Sequence, residues 1–378
     1  MSSARLATLP APRPALVEAL RGANIPLEDY ADACRACEAC DDDEEVERYP
    51  KGFDQDTSTP MLGELKAYGR QILISTGKSD WAHDICEDKT QLPALVQSAY
   101  EEEEKKSAGG KGGIFGKLGS KILGGGAGGA KSKDLPGVHP SSAAPTGEGE
   151  VSSRLSILSS SFLTSSHSPA HQSAIILPDY KVVHDLSASP SSAEELVRRY
   201  LSPSLGRAGG PEEGMLKSHP LPYHCVVLLC SHRKRDKRCS ISAPLLINQF
   251  HHHLAHHGFH VDERGDDLAD AEAIEEWEGT VDEKEQRLKE TLQGVTKEDG
   301  ARVGLFKVSH LGGHKFAGNI IIYFPSGSVI WYGRALPSDV RLIVERTILE
   351  GKVIPEFLRG GLGLVGKDRE GGKGVLEW

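Results

Sequence analysis

The chain has 378 residues, of which 38% are hydrophobic and 6% aromatic, and its net charge is -10. This length allows two domains of ordinary size, whereas the 42 glycines and 21 prolines indicate that much of the chain forms linkers or inserts. The negative charge argues against general nucleic-acid binding, which needs a basic surface, and no apolar run approaches the roughly 20 residues that a membrane-spanning helix requires.

The first half alternates short predicted elements with a long polar stretch. After a Pro- and Ala-rich segment over 1–28, which we expect to be disordered, a domain is predicted over 29–205. Its predicted elements are a buried strand at 71–75, helices at 80–87 and 92–104, a strand at 175–183 and a helix at 189–201. Between them, residues 105–151 are rich in Gly, Ser and Lys and cannot bury enough apolar surface to fold alone, so a disordered insert is expected.

The second half is more regular and predicts a second domain over 215–352, followed by a tail over 353–378. Its predicted elements are strands at 224–229 and 303–308, a helix at 243–257, a hairpin of 319–324 with 328–332, and a helix at 338–349. An acidic insert at 262–300 interrupts it, with a solvated helix near 283–293. The order strand, helix, three strands, helix is typical of a thioredoxin-like α/β sandwich.

Two pairs of metal-binding side chains stand out in the second domain. Cys230 and Cys239 are separated by eight residues, and His310 and His314 by three, and each pair follows an apolar run where a strand would pass into a loop. Thiolate and neutral imidazole bind zinc and iron–sulfur clusters readily. Gly312 and Gly313 lack a Cβ, which lets their loop curl so that both imidazoles face one metal. The spacing alone does not distinguish a zinc site from an iron–sulfur cluster.

Three segments resemble the sucrase/ferredoxin-like proteins of fungi and plants. They are KAYGRQILISTGKSDW (66–81), CVVLLCSHRKRDKRC (225–239) and VSHLGGHKFAGNIIIYFPSGSVIWYGR (308–334). The resemblance implies two thioredoxin-like α/β units with long disordered inserts: a degenerate, cluster-free N-terminal unit and a C-terminal thioredoxin-like ferredoxin domain. In one branch of that family, two cysteines and two histidines hold a [2Fe–2S] cluster.

The resemblance assigns the cluster ligands to Cys230 and Cys239 on one iron and to His310 and His314 on the other. It favours a [2Fe–2S] electron-transfer protein, with a zinc-stabilised interaction module lacking redox chemistry as the alternative. Two neutral imidazoles in place of thiolates raise the reduction potential, and their free ring N–H groups would couple electron to proton transfer. By the same resemblance, Arg334 is expected near the cluster. No nucleophile–base pair or paired carboxylates indicate a sucrase or other glycosidase.

The loop between the two cysteines carries five cations within 231–238. One interpretation is an ordinary solvated loop. The other is an electropositive surface that offsets cluster charge or steers an acidic redox partner, whose identity the sequence does not give.

The chain ends in Leu376, Glu377 and Trp378, a tripeptide that resembles the signal read by the cytosolic iron–sulfur targeting machinery. This favours a cytosolic location. Three arginines against one acid in the first 25 residues give mitochondrial import as the alternative.

A second group of thiols lies in the first domain, at Cys34, Cys37 and Cys40, with Cys86 as a possible fourth. A metal site or redox relay is one interpretation, and reduced surface thiols beside an acidic run is the other. A thiol oxidoreductase needs such a pair on a turn between strand and helix, whereas these cysteines precede the first predicted strand. The histidine-rich stretch 249–260 predicts only adventitious metal binding by a solvated helix.

Overall fold

The computed structural model describes residues 14–35, 48–109, 137–143, 151–295, 300–364 and 376. Within these residues, twelve strands form one mixed sheet, which confirms the predicted α/β class. The strands are β1 (Arg70–Ser75), β2 (Val138–His139), β3 (Leu155–Ser160), β4 (Gln172–Leu177), β5 (Lys181–Leu186), β6 (Ser218–Pro220), β7 (Tyr223–Cys230), β8 (His260–Asp262), β9 (Arg302–Val308), β10 (Ile320–Tyr323), β11 (Val329–Tyr332) and β12 (Leu358–Leu362).

Seven α-helices are present in the described residues, two of which continue as π-helical turns. They are α1 (Pro14–Gly22), α2 (Tyr30–Arg35), α3 (Leu92–Gly109), α4 (Pro190–Leu196, continued by Val197–Leu201), α5 (Lys237–His256), α6 (Val281–Val295) and α7 (Val340–Leu342, continued by Ile343–Leu349). Among the described residues, no helix combines the length and the apolar character needed to cross a membrane.

The sheet has two halves that repeat one strand order. In the C-terminal half, β7 lies between its parallel neighbour β9 and its antiparallel neighbour β10, and β11 follows as the hairpin partner of β10. In the N-terminal half, β1 lies in the same way between parallel β3 and antiparallel β4, and β5 follows as the hairpin partner of β4. Each half therefore has the spatial order second, first, third, fourth.

The two halves meet where β3 pairs antiparallel with β9. Only Ser160 and Val308 are in register there, and the contact is extended by hydrogen bonds from Ser309 N to Ser159 O and from Ser161 N to Lys307 O, both 2.9 Å long. The sheet is therefore continuous, and its junction lies next to the loop that carries His310.

Strand β7 is the centre of the C-terminal half because all eight of its residues are buried. Successive side chains of a strand point to opposite faces of the sheet. Val227 and Leu229 accordingly pack into a core with α5 and α7, whereas Val226 and Leu228 pack into a second core that also contains β1, β3 and β4 residues of the N-terminal half. A strand buried on both faces explains the unbroken apolar run in the sequence.

A charged cluster is buried in the N-terminal half at the turn between β4 and β5. Asp179 accepts a 2.9 Å ion pair from Arg70 and lies 4.0 Å from Lys181, with all three side chains at most 3% exposed. Arg207 donates to the backbone oxygens of Asp179 (3.2 Å) and Pro325 (2.9 Å), so it also ties this turn to the C-terminal half. One carboxylate thus lies among three buried cations.

Several predicted features of the sequence differ in the structure. The strand predicted at 175–183 is the hairpin of β4 and β5, the segment 1–28 contains α1, and the tail predicted over 353–378 contains β12. The helix predicted at 80–87 is wrong: the segment forms turns, because the Asp84 side chain accepts from Cys86 N (2.9 Å) and competes with helical hydrogen bonds. The predicted inserts also contain ordered elements. Strand β2 pairs with β12, and α6 buries Leu288 and Leu292 against the second core.

Candidate metal centre

The two cysteines lie at the two ends of one tight connection. Cys230 is the last residue of β7, and Cys239 is the third residue of α5, which begins six residues earlier than the predicted helix start at 243. The early start follows from Asp236, whose side chain accepts from Arg238 N (2.9 Å) and caps the helix. Both thiols are free, and both side chains are almost fully buried.

The two sulfur atoms interact with each other. Their side-chain interaction lowers the pKa of Cys230 and raises that of Cys239. The His310 side chain and the backbone N–H of Leu311 favour the Cys230 thiolate as well. Cys230 is therefore the more acidic thiol, and a thiolate is the form that binds metals.

The two histidines are brought together by the loop after β9. Gly312 has φ +84° and Gly313 has φ +63°, so both adopt the left-handed conformation that glycine permits, as predicted for a curled loop. The rings of His310 and His314 lie with their centroids 5.3 Å apart. Nδ1 of each ring is buried without a hydrogen-bond partner.

These unpartnered atoms fit metal ligation, because a buried polar atom without a partner is costly unless something binds it. The other nitrogen of His314, Nε2, lies 3.8 Å from Asp236 Oδ2, and the His314 side chain is 40% exposed. Partial burial lowers the pKa of His314, so its ring is neutral near pH 7, as a ligand must be.

The four donors contact one another in series and do not surround one point. Cys230 contacts Cys239 and also lies against His310, and His310 lies against His314. No three of these donor atoms lie within 4.8 Å of one another. In the described residues that condition is met at another place, by His167, His184 and Asp185.

A buried arginine completes the site and was not predicted. Arg359, on β12, is 1% exposed and donates to Asn319 Oδ1 (2.7 Å) and Gly312 O (3.4 Å). Burial lowers its pKa to about 10, which Cys230 and Cys239 oppose, so this guanidinium lies in the field of both thiols. Its segment shows no strand-like apolar run, and the only sequence signal is an arginine beside two glycines.

Arg334, the cation that the family resemblance placed near the cluster, is also buried, but its guanidinium binds another loop. It donates to Asp56 O (2.6 Å) and Thr59 O (2.5 Å). The guanidinium groups of Arg334 and Arg359 both lie over the aromatic ring of Phe316, at 5.1 and 5.4 Å from the ring centroid. Phe316 therefore packs against both buried cations.

The N-terminal half covers the connection between the cysteines. Ser231 Oγ donates to Ser79 O (2.8 Å), and buried His232 donates from Nε2 to Trp81 O (3.1 Å). The loop after β1 therefore shields the cysteine-bearing segment from water. The cations of that segment face outward, since Arg233, Lys234, Arg235 and Lys237 are all exposed.

The remaining predicted residues lie elsewhere. Cys86 is half-buried, and burial raises its pKa, whereas the Cys34 side chain and the residues Cys37, Cys40, Glu377 and Trp378 fall outside the described part of the chain. The second thiol site and the C-terminal recognition signal therefore stay predictions.

The similarity of this chain to known proteins covers the same residues. A family model described as sucrase/ferredoxin-like matches residues 61–360, which include all four candidate ligands and Arg359. The chain belongs to the sucrase/ferredoxin-like family. No solved structure matches it.

Three curated relatives of this sucrase/ferredoxin-like protein show how far the similarity extends. It is 30% identical to altered inheritance of mitochondria protein 32 of Clavispora lusitaniae over 218 residues, which is 54% of this chain and 63% of that protein. It is 34% identical to the protein of the same name from Debaryomyces hansenii over 138 residues, 36% of this chain and 35% of that protein. Actin patches distal protein 1 of Saccharomyces cerevisiae is 24% identical over 299 residues, 77% of this chain and 72% of that protein.

Proposed function

We propose that this chain is an iron–sulfur electron-transfer protein that binds one [2Fe–2S] cluster through Cys230, Cys239, His310 and His314. The observation that carries the proposal is that Cys239, Cys230, His310 and His314 contact one another in that order, while no three of their donor atoms meet within 4.8 Å. A single tetrahedral zinc, with bonds of about 2.0–2.3 Å, would draw all four donors to within about 4 Å of one another. A cluster of two irons needs only two protein ligands at each iron.

The surrounding residues suit a buried group of negative charge. When bound, the cluster would supply a carrier for one electron. Arg359 places a cation beside both cysteines without exposing it to water, so it offsets thiolate charge where screening is weak. His314 Nε2, on a partly exposed ring next to Asp236, is the atom at which a proton could be exchanged with solvent. Together these groups support electron transfer coupled to proton transfer.

The repeated strand order supports the thioredoxin-like assignment of both halves. When the intervening β2, β8 and α6 are set aside, two parallel strands joined through a helix, followed by an antiparallel hairpin and a helix, occur as β1–α3–β3–β4–β5–α4 and again as β7–α5–β9–β10–β11–α7. We infer that these are the two units predicted over 29–205 and 215–352. The N-terminal unit would then serve as a cluster-free cover for the metal centre.

The exposed cations around Arg233–Arg235 support a partner protein with an acidic docking surface. The relatives named for altered inheritance of mitochondria support a role connected with mitochondria, as in the alternative location. Cytosolic location is the expectation from the chain's last residues.

The spectrum of the purified protein tests the proposal. After purification without air or added metal, we expect broad visible absorption with about two irons and about two sulfides per chain. A colourless protein with about one zinc would overturn the proposal and establish the zinc-stabilised interaction module.

Replacing Gly313 with Ala tests whether the histidine loop must keep its shape. A Cβ there would lie 2.1 Å from Arg359 Nη2, at a residue with φ +63°, so the loop or the buried arginine must shift. The left-handed conformation alone costs a non-glycine residue about 1–2 kcal/mol. We expect lower iron content per chain, measured by metal analysis. Gly294→Ala is the matched control, since nothing lies within 4 Å of its added Cβ, and equal iron losses in both variants would contradict the assignment.

A further inference from the structure

A second cluster of metal-binding side chains lies in the N-terminal half, where β5 departs from regular pairing with β4. Gln172 pairs with Leu186 and Ala174 with Val183, so two residues of β5, His184 and Asp185, lie opposite one of β4. This is a β-bulge, and Asp185 has φ +60°, a left-handed conformation uncommon outside glycine.

The bulge changes the direction of these two side chains. Consecutive residues of a regular strand point to opposite faces of the sheet, whereas His184 Nδ1 lies only 3.1 Å from Asp185 Oδ2. Backbone strain of this kind persists where the surrounding structure enforces it and is frequent at functional sites. The strained residue is here the one that supplies a carboxylate.

The loop between β3 and β4 brings further histidines to the same carboxylate. His167 Nδ1 lies 2.8 Å from Asp185 Oδ2, and His171 Nδ1 lies 3.8 Å from Asp185 Oδ1. Backbone hydrogen bonds hold the loop in place, from His167 N to Asp185 Oδ1 (3.0 Å) and from Asp185 N to Ser166 Oγ (2.7 Å). Three imidazoles therefore converge on one acid.

An ordinary ion pair does not account for this arrangement. Nδ1 of His184 is buried and makes no hydrogen bond in spite of its short distance to the carboxylate. The ring of buried His219 lies 4.9 Å from that of His184, and its Nε2 has no hydrogen-bond partner either. One acid cannot compensate several protonated rings, whereas neutral imidazoles with one carboxylate are a ligand set for a divalent transition metal.

The distances also suit a metal. Donor atoms of His167, His184 and Asp185 all lie within 4.8 Å of one another. Ligands at about 2.0–2.1 Å from a tetrahedral ion are about 3.3 Å apart, and Asp185 Oδ2 lies 2.8 Å from His167 Nδ1 and 3.1 Å from His184 Nδ1, slightly closer than that value. The site is also reachable, because the His167 side chain is 83% exposed.

We propose that His167, His184 and Asp185 form a binding site for a divalent transition metal of the zinc class, with the fourth position open to water. The ion would join the loop after β3 to the bulge of β5. The site uses none of the residues of the cysteine–histidine centre and lies on other strands of the sheet, so the two sites can be tested separately.

Zinc binding by the full chain tests the proposal. The parent protein carries His252→Gln and His257→Gln, which break both i, i+4 histidine pairs, 252/256 and 253/257, that are expected to bind metal adventitiously. Zinc affinity is measured by dialysis against a competing chelator, with iron and sulfide determined in each sample. We expect His167→Gln and Asp185→Asn each to weaken zinc binding by about 100-fold or more. Zinc should also raise the melting temperature of the parent and not of Asp185→Asn.

Both variants are chosen to fold. His167 is exposed, and Asn tolerates the left-handed backbone of Asp185 nearly as well as Asp does. Iron and sulfide contents should equal those of the parent, so that failure of the iron–sulfur assignment and failure of this site give different results. Zinc affinity unchanged in both variants would overturn the site.

Discussion

Replacing Cys230 with Ala is expected to abolish the visible absorption and the bound iron of the purified protein. Cys230 is the more acidic of two buried thiols in contact, and its loss leaves Cys239 without its sulfur partner. A cluster iron held by a single protein thiolate is incompletely ligated, so we expect about a tenfold or greater loss of iron per chain. Absorption spectra with iron and sulfide analysis check this result.

Cys225→Ala provides a closely matched control for this variant. Cys225 is also a free, fully buried thiol on β7, but its side chain points to the opposite face and packs in the core with α5. Its replacement removes one small apolar group and should leave the colour intact. A colourless Cys225→Ala variant, or a Cys230→Ala variant that keeps its iron, would contradict the ligand assignment.

Replacing Asp179 with Asn is expected to cause the largest loss of stability among the substitutions considered. The carboxylate is fully buried and offsets Arg70, Lys181 and Arg207, so its removal leaves three cations inside the N-terminal half. Breaking a buried ion pair by removing one partner costs about 3–5 kcal/mol of unfolding free energy. Urea unfolding of both proteins measures the difference.

The size of this loss should depend on pH in a defined direction. Burial lowers the pKa of Lys181 to about 8, below its unfolded value, although Asp179 opposes that shift. Between these two pKa values the unfolded chain binds a proton that the folded chain does not, so stability from this group rises with pH. Because the variant lacks the opposing carboxylate, its deficit should be smaller at about pH 9.5 than at about pH 7.

An exposed ion pair serves as the control for Asp179→Asn. Glu272 accepts from Arg287 at 2.8 Å, but both side chains are about half exposed. Glu272→Gln should change the unfolding free energy by less than about 1 kcal/mol, since surface ion pairs contribute little. If both variants lose equal stability, the buried cluster does not hold the N-terminal half together.

Local patterns predicted the centre of the fold well. The apolar run of β7, the hairpin of β10 and β11, and the curl at Gly312 and Gly313 all follow from side-chain type and short spacing, and all are present. The helix start at Lys237 was not predicted, because its capping residue, Asp236, lies within a run of cations and gives only a weak sequence signal.

Long-range features could not be predicted from local patterns. The sequence of β12 is rich in glycine, and this segment forms a strand through its pairing with β11 and β2. The position of Arg359 beside the thiols depends on that pairing as well. The bulge that turns Asp185 toward His184 and His167 likewise arises from the register of β4 with β5, which no periodicity along one strand encodes.

The repeated strand order makes Ser75 the topological counterpart of Cys230, since each ends the first strand of its half. Ser75 Oγ accepts a hydrogen bond from Ser173 N (2.8 Å), so the hydroxyl at this place is bound within the protein. A thiol is a weak hydrogen-bonding group and a strong metal ligand. Exchange of oxygen for sulfur at one equivalent position thus leaves the first strand of the N-terminal half ending in a hydroxyl that is already hydrogen-bonded, where that of the C-terminal half ends in a candidate metal ligand.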